Sequence, residues 1–330
     1  MPTKPRCGPA ERQPRERSLA SYSELVLITQ IRVYPIKSIT GRAVDAAYVH
    51  PWGLDGDRRW AVVDHQGDNL WLGEYPRMLA VTAQERPGGG LLLSADGMPD
   101  LAVPPASGPS VRVGFSGLDS AVLATDAAHS WFTDLLGVPA RLVWLDDPAR
   151  RSVDPAHGGL PGEVVSFAWD APLLLTSAAS ARRLDEWIED GARVRGEPPP
   201  GPLSPLRFRP SVIIDGGEPF EEDGWREVRI GAVDFRVSEL CDRCAVTVID
   251  PVTRVKGKEP LRTLARHRRW DGKTWFGIRL VPRTRGEIHI GDPVTATRAG
   301  ARGRRPSDGC PVKAARAPGA HVPSRGSTSL

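Results

Sequence analysis

Apolar and polar residues alternate in short runs along most of the chain, and helical periods are rare. In ITQIRVYPIKS (28–38) the apolar positions Ile28, Ile31, Val33 and, past Pro35, Ile36 follow the period of a half-buried strand. RRWAVVDHQGDNLW (58–71) reads as a hairpin with Gly67-Asp68 at its turn. LAVTAQE, LLLSA, VRVGF and SAVLAT add strands separated by Gly, Pro and Asp turns. A helix opens at Asp126, whose carboxylate is placed to cap the first turn; it carries Trp131, Leu135 and Leu136 on one face and stops at Gly137. A second helix is expected from Thr176 or Ser177 to Ile188. LRFRPSVIID, WREVRIGAVDFRVS, CAVTVID, WFGIRLV and GEIHIGDPV supply further strands, interrupted by a helical PLRTLARHRR. Many short strands with two or three helices predict an α+β, β-dominated protein of two barrel-like halves.

Composition sets the ends of these halves. The polar, Pro/Gly-rich stretch 147–163 reads as a connector, giving an N-terminal β-barrel domain over 25–147 and a second β-barrel domain over 148–297. Residues 1–24 and 298–330 are too poor in large apolar residues to offset their ordering entropy and are expected to be disordered tails. The formal charge is +4, yet residues 25–294 carry −4; the excess lies at the two ends. A nucleic-acid binder concentrates basic residues on a folded face, so that class is set aside. No apolar run approaches the roughly 18 residues that span a bilayer, and the polar start lacks the apolar core of a secretory signal, so a cytoplasmic protein is expected.

The candidate chemistry sits in three places. Cys241-Asp-Arg-Cys244 is a lone C-x-x-C, without the second pair that a structural zinc site requires. AVTVID after it reads as strand, which argues against a thioredoxin-like strand-to-helix turn. What remains is either a single soft thiolate ligand for a metal, favoured by the charge of Arg243, or two buried structural thiols. Lys37 and Ser38, with Arg58, would suit an anionic phosphate, although surface cations of β proteins are usually only solvated. Arg209, within Phe208-Arg-Pro-Ser211, needs an anionic partner if buried, which an internal salt bridge could supply equally well.

In chain order, YPIKS, GLDGDRRWAVVD, FRPSVIIDG with PFEEDGW, IGAVDFRVSELCDRCAVTVIDPVT and GEIHIGDPV resemble the MOSC family in its two-part form, an N-terminal β-barrel domain followed by the MOSC domain. The resemblance covers roughly residues 28–297 and extends to the pattern of the amidoxime-reducing components. It implies the molybdenum cofactor (Mo-molybdopterin), with Cys244 as protein ligand to the metal and Arg243 beside the cofactor. It also implies that Lys37, Ser38, Arg58 and Arg209 hold the pterin and its phosphate, with Ser211 in the same segment and Thr176 and Ser177 approaching from another side. Two positions depart from the pattern: Ser211 stands where Asn is usual, and Gly73 where an Arg is common.

The activity so implied is reduction of small N-hydroxylated substrates with electrons from an external electron-transfer protein of flavin reductase, ferredoxin or cytochrome type. The alternative is a carrier module that holds the cofactor, or passes sulfur, without turnover.

Overall fold

In the Leu27–Val33 strand, Ile28, Ile31 and Val33 are buried, and the three-residue step from Ile28 to Ile31 is taken up by a register irregularity between Ile28 and Gln30. The computed structural model describes residues 25–298; the tails expected at 1–24 and from 299 onward lie outside the described residues. Arg298, expected to open the C-terminal tail, instead closes the Val294–Arg298 strand opposite Trp225.

The largest sheet has nine strands. Its path runs Val294–Arg298, Trp225–Ile230, Val233–Asp242, Lys273–Pro282, Leu173–Ser177, Val212–Asp215, Leu27–Val33 and Arg42–Val44, with Arg269–Trp270 attached to Lys273–Pro282. Its pairings are antiparallel except that between Leu173–Ser177 and Val212–Asp215, which the helix Ala178–Arg195 makes parallel by crossing over between them. Ile31, Leu175, Val212, Phe235, Ile278 and Leu280 fill its core.

A four-stranded sheet joins Trp60–Val63, Arg141–Trp144, Leu118–Leu123 and Ser110–Phe115, and Thr82–Arg86, Gly90–Ser94 and Leu101–Val103 form a meander. The helix Asp126–Leu136 packs Trp131, Phe132 and Leu135 against Trp60, Val62 and Leu142. The third small sheet pairs Ala46–His50 with Gly286–His289. Leu27–Val33 and Ala46–His50 therefore hydrogen-bond to strands from the second half of the chain, Val212–Asp215 and Gly286–His289.

Three local expectations change. Thr125 is the N-cap of the first helix, its side chain makes no capping bond, and Asp126 is the first helical residue instead. The second helix, capped by Ser177 Oγ accepting from Ser180 N (3.3 Å), runs past Ile188 to Arg195 because Gly191 and Ala192 continue its buried face; Gly196 (φ 68°) stops it. Ala245–Val248 is a 3₁₀ turn and not a strand, closed by Thr247, whose N and Oγ1 both donate to the Cys244 carbonyl (3.2 and 3.0 Å).

Under the second helix, Glu222 is 1% exposed and accepts from Ser180 Oγ at 2.7 Å. Burial pushes its carboxyl up to about 7. The folded state thus binds a proton that the unfolded chain, with an ordinary value of about 4.3, releases sooner, so this contribution is complete below that value and lost as pH rises to about 7. Glu222→Gln should remove that slope and stabilise the protein at pH 8 by up to about 3 kcal/mol. Urea unfolding at pH 5 and pH 8 measures this, and equal stability of the two proteins at both pH values would contradict it.

Candidate functional site

The sheet register brings three irregular segments together. Pairing of Leu27–Val33 with Val212–Asp215 places Tyr34 beside Pro210, and Tyr34 Oη donates to the Pro210 carbonyl (3.1 Å). Tyr34 N donates to Asp57 Oδ1 (2.8 Å) while Arg58 N donates to the Tyr34 carbonyl (2.7 Å), so the Asp57–Arg58 corner is clamped onto the same tyrosine. The guanidinium groups of Arg58 and Arg209 each lie 4.4 Å from the centre of the Tyr34 ring. Arg58 also pairs with buried Asp57 and donates to Ser211 Oγ (3.4 Å) and the Arg209 carbonyl (3.3 Å). Ser211 Oγ in turn accepts from Leu174 N (3.3 Å).

Lys37 and Arg209 differ from Arg58 in having no carboxylate. Lys37 Nζ donates to the Phe167 carbonyl (2.6 Å) and Arg209 Nη1 to the Ile39 carbonyl (2.7 Å), and neither makes an ion pair among the described residues. Burial, then the positive charges of Arg151, Arg58 and Arg209, hold the Lys37 ammonium well below the ordinary lysine value. Burial likewise brings Arg209 down to about 10. The internal salt bridge that would have explained Arg209 without a ligand is therefore not what the fold provides.

Backbone strain gathers at the same place. Ser38 (φ 75°), Arg58 (φ 49°) and Arg209 (φ 57°) all adopt left-handed conformations that side-chain-bearing residues avoid. Each costs on the order of 1–3 kcal/mol and persists only where the surroundings over-determine it. Tertiary contacts that hold three residues in this state also fix the direction of their side chains.

Cys241 is the penultimate residue of the Val233–Asp242 strand and is buried; Cys244 is exposed and opens the 3₁₀ turn. The alternative of two buried structural thiols thus fails for Cys244. Arg243 ties this segment to the cation cluster: Nη1 lies 2.7 Å from Cys241 Sγ, and Nη2 donates to the carbonyl of Phe208 (2.8 Å), the neighbour of Arg209. Its Nε is buried without a hydrogen-bond partner. Thr176 and Ser177 do not join the cluster: Ser177 caps the helix, Thr176 is buried with Oγ1 unpartnered, and no polar contact links either to Lys37, Arg58 or Arg209 among the described residues.

Sequence reading missed several members of this site. Asp57 and Tyr34 lay inside quoted motifs but were given no role. Arg151, in the stretch read as a polar connector, is 6% exposed and donates to the carbonyls of Ser116, Ser166, Ala168 and Trp169. With Lys37 on Phe167, two cations thus bind four consecutive carbonyls and hold the loop that places the exposed Trp169 ring 5.1 Å from Lys37 Nζ. Nearby, Arg279 pairs with Asp170, Glu239 and Asp242; those carboxylates, with Cys241, outweigh its burial and raise its value. His157, Asp170 and Glu239 lie close enough to bind a metal, but Arg279 already supplies their countercharge.

Gly73, the departure noted in the sequence, lies under an aromatic ring. A Cβ there would lie 2.2 Å from the ring of Trp71, which is laid across the glycine. The loop abuts the cysteine turn, with Leu72 packed among Leu79, Ile249 and Val246 and the Gly73 carbonyl accepting from Lys256 Nζ (2.9 Å). Since Trp71 is 41% exposed, its ring can swing outward. Gly73→Ala should therefore cost no more than about 1 kcal/mol, at the low end for overpacking. A loss several times larger in urea unfolding would mean that the ring is fixed.

The strand-rich fold accords with the two MOSC domains that the chain matches. The MOSC N-terminal beta barrel domain matches residues 25–139 and the MOSC domain residues 162–295, and the chain belongs to this family. It is 30% identical over 287 residues to mitochondrial amidoxime-reducing component 1 of Homo sapiens, covering 81% of this chain and 82% of that protein. It is 29% identical over 307 residues to mitochondrial amidoxime reducing component 2 of Rattus norvegicus, covering 86% and 87%. Molybdenum cofactor sulfurase of Solanum lycopersicum is 29% identical over 81% of this chain but only 35% of its own length. The name of the sulfurase relative associates the family with the molybdenum cofactor. No helix among the described residues is long and apolar enough to cross a membrane.

Proposed function

We propose that this protein is a molybdenum-cofactor-dependent reductase of small N-hydroxylated compounds, of the amidoxime type. One observation carries the reading: Lys37 and Arg209, cations far apart in sequence and without carboxylate partners, meet at strained backbone joints that Arg243 links to the exposed Cys244. Such a cluster needs an anion. The residues present fit a phosphate-bearing pterin: Lys37, Arg58 and Arg209 offer charge, Ser38 and Ser211 offer hydroxyls, and the unpartnered Arg243 Nε is a further donor. Cys244 is the thiolate that would ligate the metal, a soft donor suited to it. When bound, the cofactor supplies a two-electron metal centre.

The chain's own residues bind and orient. Tyr34 is the plate on which Arg58 and Arg209 lie, Asp57 fixes Arg58 as a single buried partner, and the turn after Cys244 presents the thiol outward. The free, exposed thiol suits a reducing compartment such as the cytoplasm. We infer further that electrons come from an external electron-transfer protein; the two cysteines among the described residues would not by themselves hold an iron–sulfur cluster.

The sulfurase relative favours a second reading, a carrier that holds the cofactor or a sulfur atom without turnover. Protein expressed in a molybdenum-replete host decides between them. The reductase reading expects bound molybdenum and oxidation of reduced viologen that depends on an amidoxime. Bound metal with no such oxidation would leave the carrier.

A further inference from the structure

Just past Cys244 the chain folds back on itself. Ile249 bridges Lys256, Gly257 N donates to the Val248 carbonyl (2.9 Å) and Asp250 N to the Val255 carbonyl (2.9 Å), making a tight hairpin. Asp250 is consumed inside it, accepting from Val252 N (3.0 Å) and Thr253 N (2.8 Å) and pairing with Arg207 (2.5 Å). The tip shows the opposite character to solvent. Val252 is 77% and Val255 65% exposed, among the most exposed large apolar residues described. Around them stand Arg254, Lys256 and Lys258, none of which makes an ion pair among the described residues; Lys256 is tied only to the Gly73 carbonyl. Arg254 turns the tip through the left-handed conformation (φ 63°).

Exposed apolar side chains ringed by unneutralised cations fit a partner surface that is apolar at its centre and acidic at its rim. The hairpin is continuous in sequence with the exposed thiol, and packing of Val246 and Ile249 against Leu72 fixes it to the body of the site. We propose that the hairpin 249–257 is the docking surface for an acidic electron-transfer protein; this rests on the reductase reading of Cys244. Reduction of an N-hydroxy group breaks its N–O bond and consumes two electrons and two protons, releasing water. The reduced partner supplies the electrons and solvent the protons. A surface this small suits the brief encounters of electron transfer, whose on-rate the three cations would raise by steering.

A plant-type ferredoxin, an acidic two-iron protein, serves as probe for the holoprotein. Wild-type protein should bind it with an affinity that falls steeply with salt. Arg254→Glu/Lys258→Glu should weaken that binding at low salt by about tenfold or more and flatten its salt dependence. Val252→Ser/Val255→Ser should weaken it while leaving the salt slope unchanged. Turnover with reduced viologen, which needs no docking, should stay within about twofold in both variants. Unchanged ferredoxin affinity in the charge-reversed variant, or no salt-sensitive binding to the wild type, would overturn the docking surface. Absence of viologen-driven turnover in the wild type would instead overturn the reductase reading, and the binding titration would still decide the surface.

Discussion

Cys244→Ser should bring turnover to background and strip molybdenum from the protein, while Cys241→Ser should keep most of its metal. The two cysteines are separated by only Asp242 and Arg243, yet they occupy opposite environments: Cys241 is buried at a strand end against Arg243, Cys244 is exposed at the head of a turn. Loss of an exposed sulfur leaves the fold nearly untouched, because surface substitutions usually stay within ±0.5 kcal/mol, so the melting temperature of the apoprotein should move by less than about 2 °C. Cys241→Ser should behave the other way. It disturbs a buried contact to a guanidinium and should cost about 1–2 kcal/mol, with metal retained. Metal analysis beside thermal melts of both variants gives the answer. Equal loss of metal in the two would indicate a two-thiolate site and remove Cys244 from its role.

The strands were legible wherever a half-buried surface imposed alternation, as in the runs around Ile31, Val113 and Val228. Their partners were not legible, because pairing of Leu27–Val33 with Val212–Asp215 joins segments with most of the chain between them. The turn after Cys244 was misread for a physical reason. Val246 and Val248 alternate with polar or small residues as a strand would, but Thr247 turns both its donors back onto the Cys244 carbonyl and the backbone closes up. The second helix, expected to end at Ile188, continues to Arg195 because Gly191 and Ala192 prolong its buried face.

At the site, motif resemblance pointed to Lys37, Arg58 and Arg209, and the fold gathers these three. It could not show Arg151, whose worth lies in carbonyls of residues that are loop in any reading. Nor could it show the backbone strain at Ser38, Arg58 and Arg209. None of them is glycine, the usual marker of positive φ in a sequence.

The cation cluster makes the second large prediction, and the structure divides its members. If a phosphate-bearing ligand sits among them, Lys37→Ala and Arg209→Ala should each weaken cofactor retention by roughly tenfold or more, the equivalent of one charge-assisted hydrogen bond of about 1.5–3 kcal/mol. Without ligand, neither change should destabilise the protein much, since each removes a desolvated cation that faces only a carbonyl and other cations. Arg58→Ala should act differently. It strands the buried Asp57 carboxylate, whose value burial already raises, so apo stability should fall by about 3–5 kcal/mol in addition to the lost retention.

Lys37 adds a pH signature. Its ammonium is held below the ordinary lysine value when folded, so between that depressed value and about 10.4 the unfolded chain binds the extra proton. Apo stability should therefore rise with pH across that window and be penalised below it, a slope that Lys37→Met abolishes. A bound phosphate reverses the balance by favouring the charged lysine, so cofactor binding takes up a proton and weakens as pH rises through the same window. Molybdopterin content and apo melting temperature, measured from pH 7 to pH 10 for wild type, Lys37→Met and Arg209→Ala, separate an anion site from a structural one. Unchanged cofactor content in both variants, with melting temperatures lowered instead, would mean that these cations hold the fold and not a ligand.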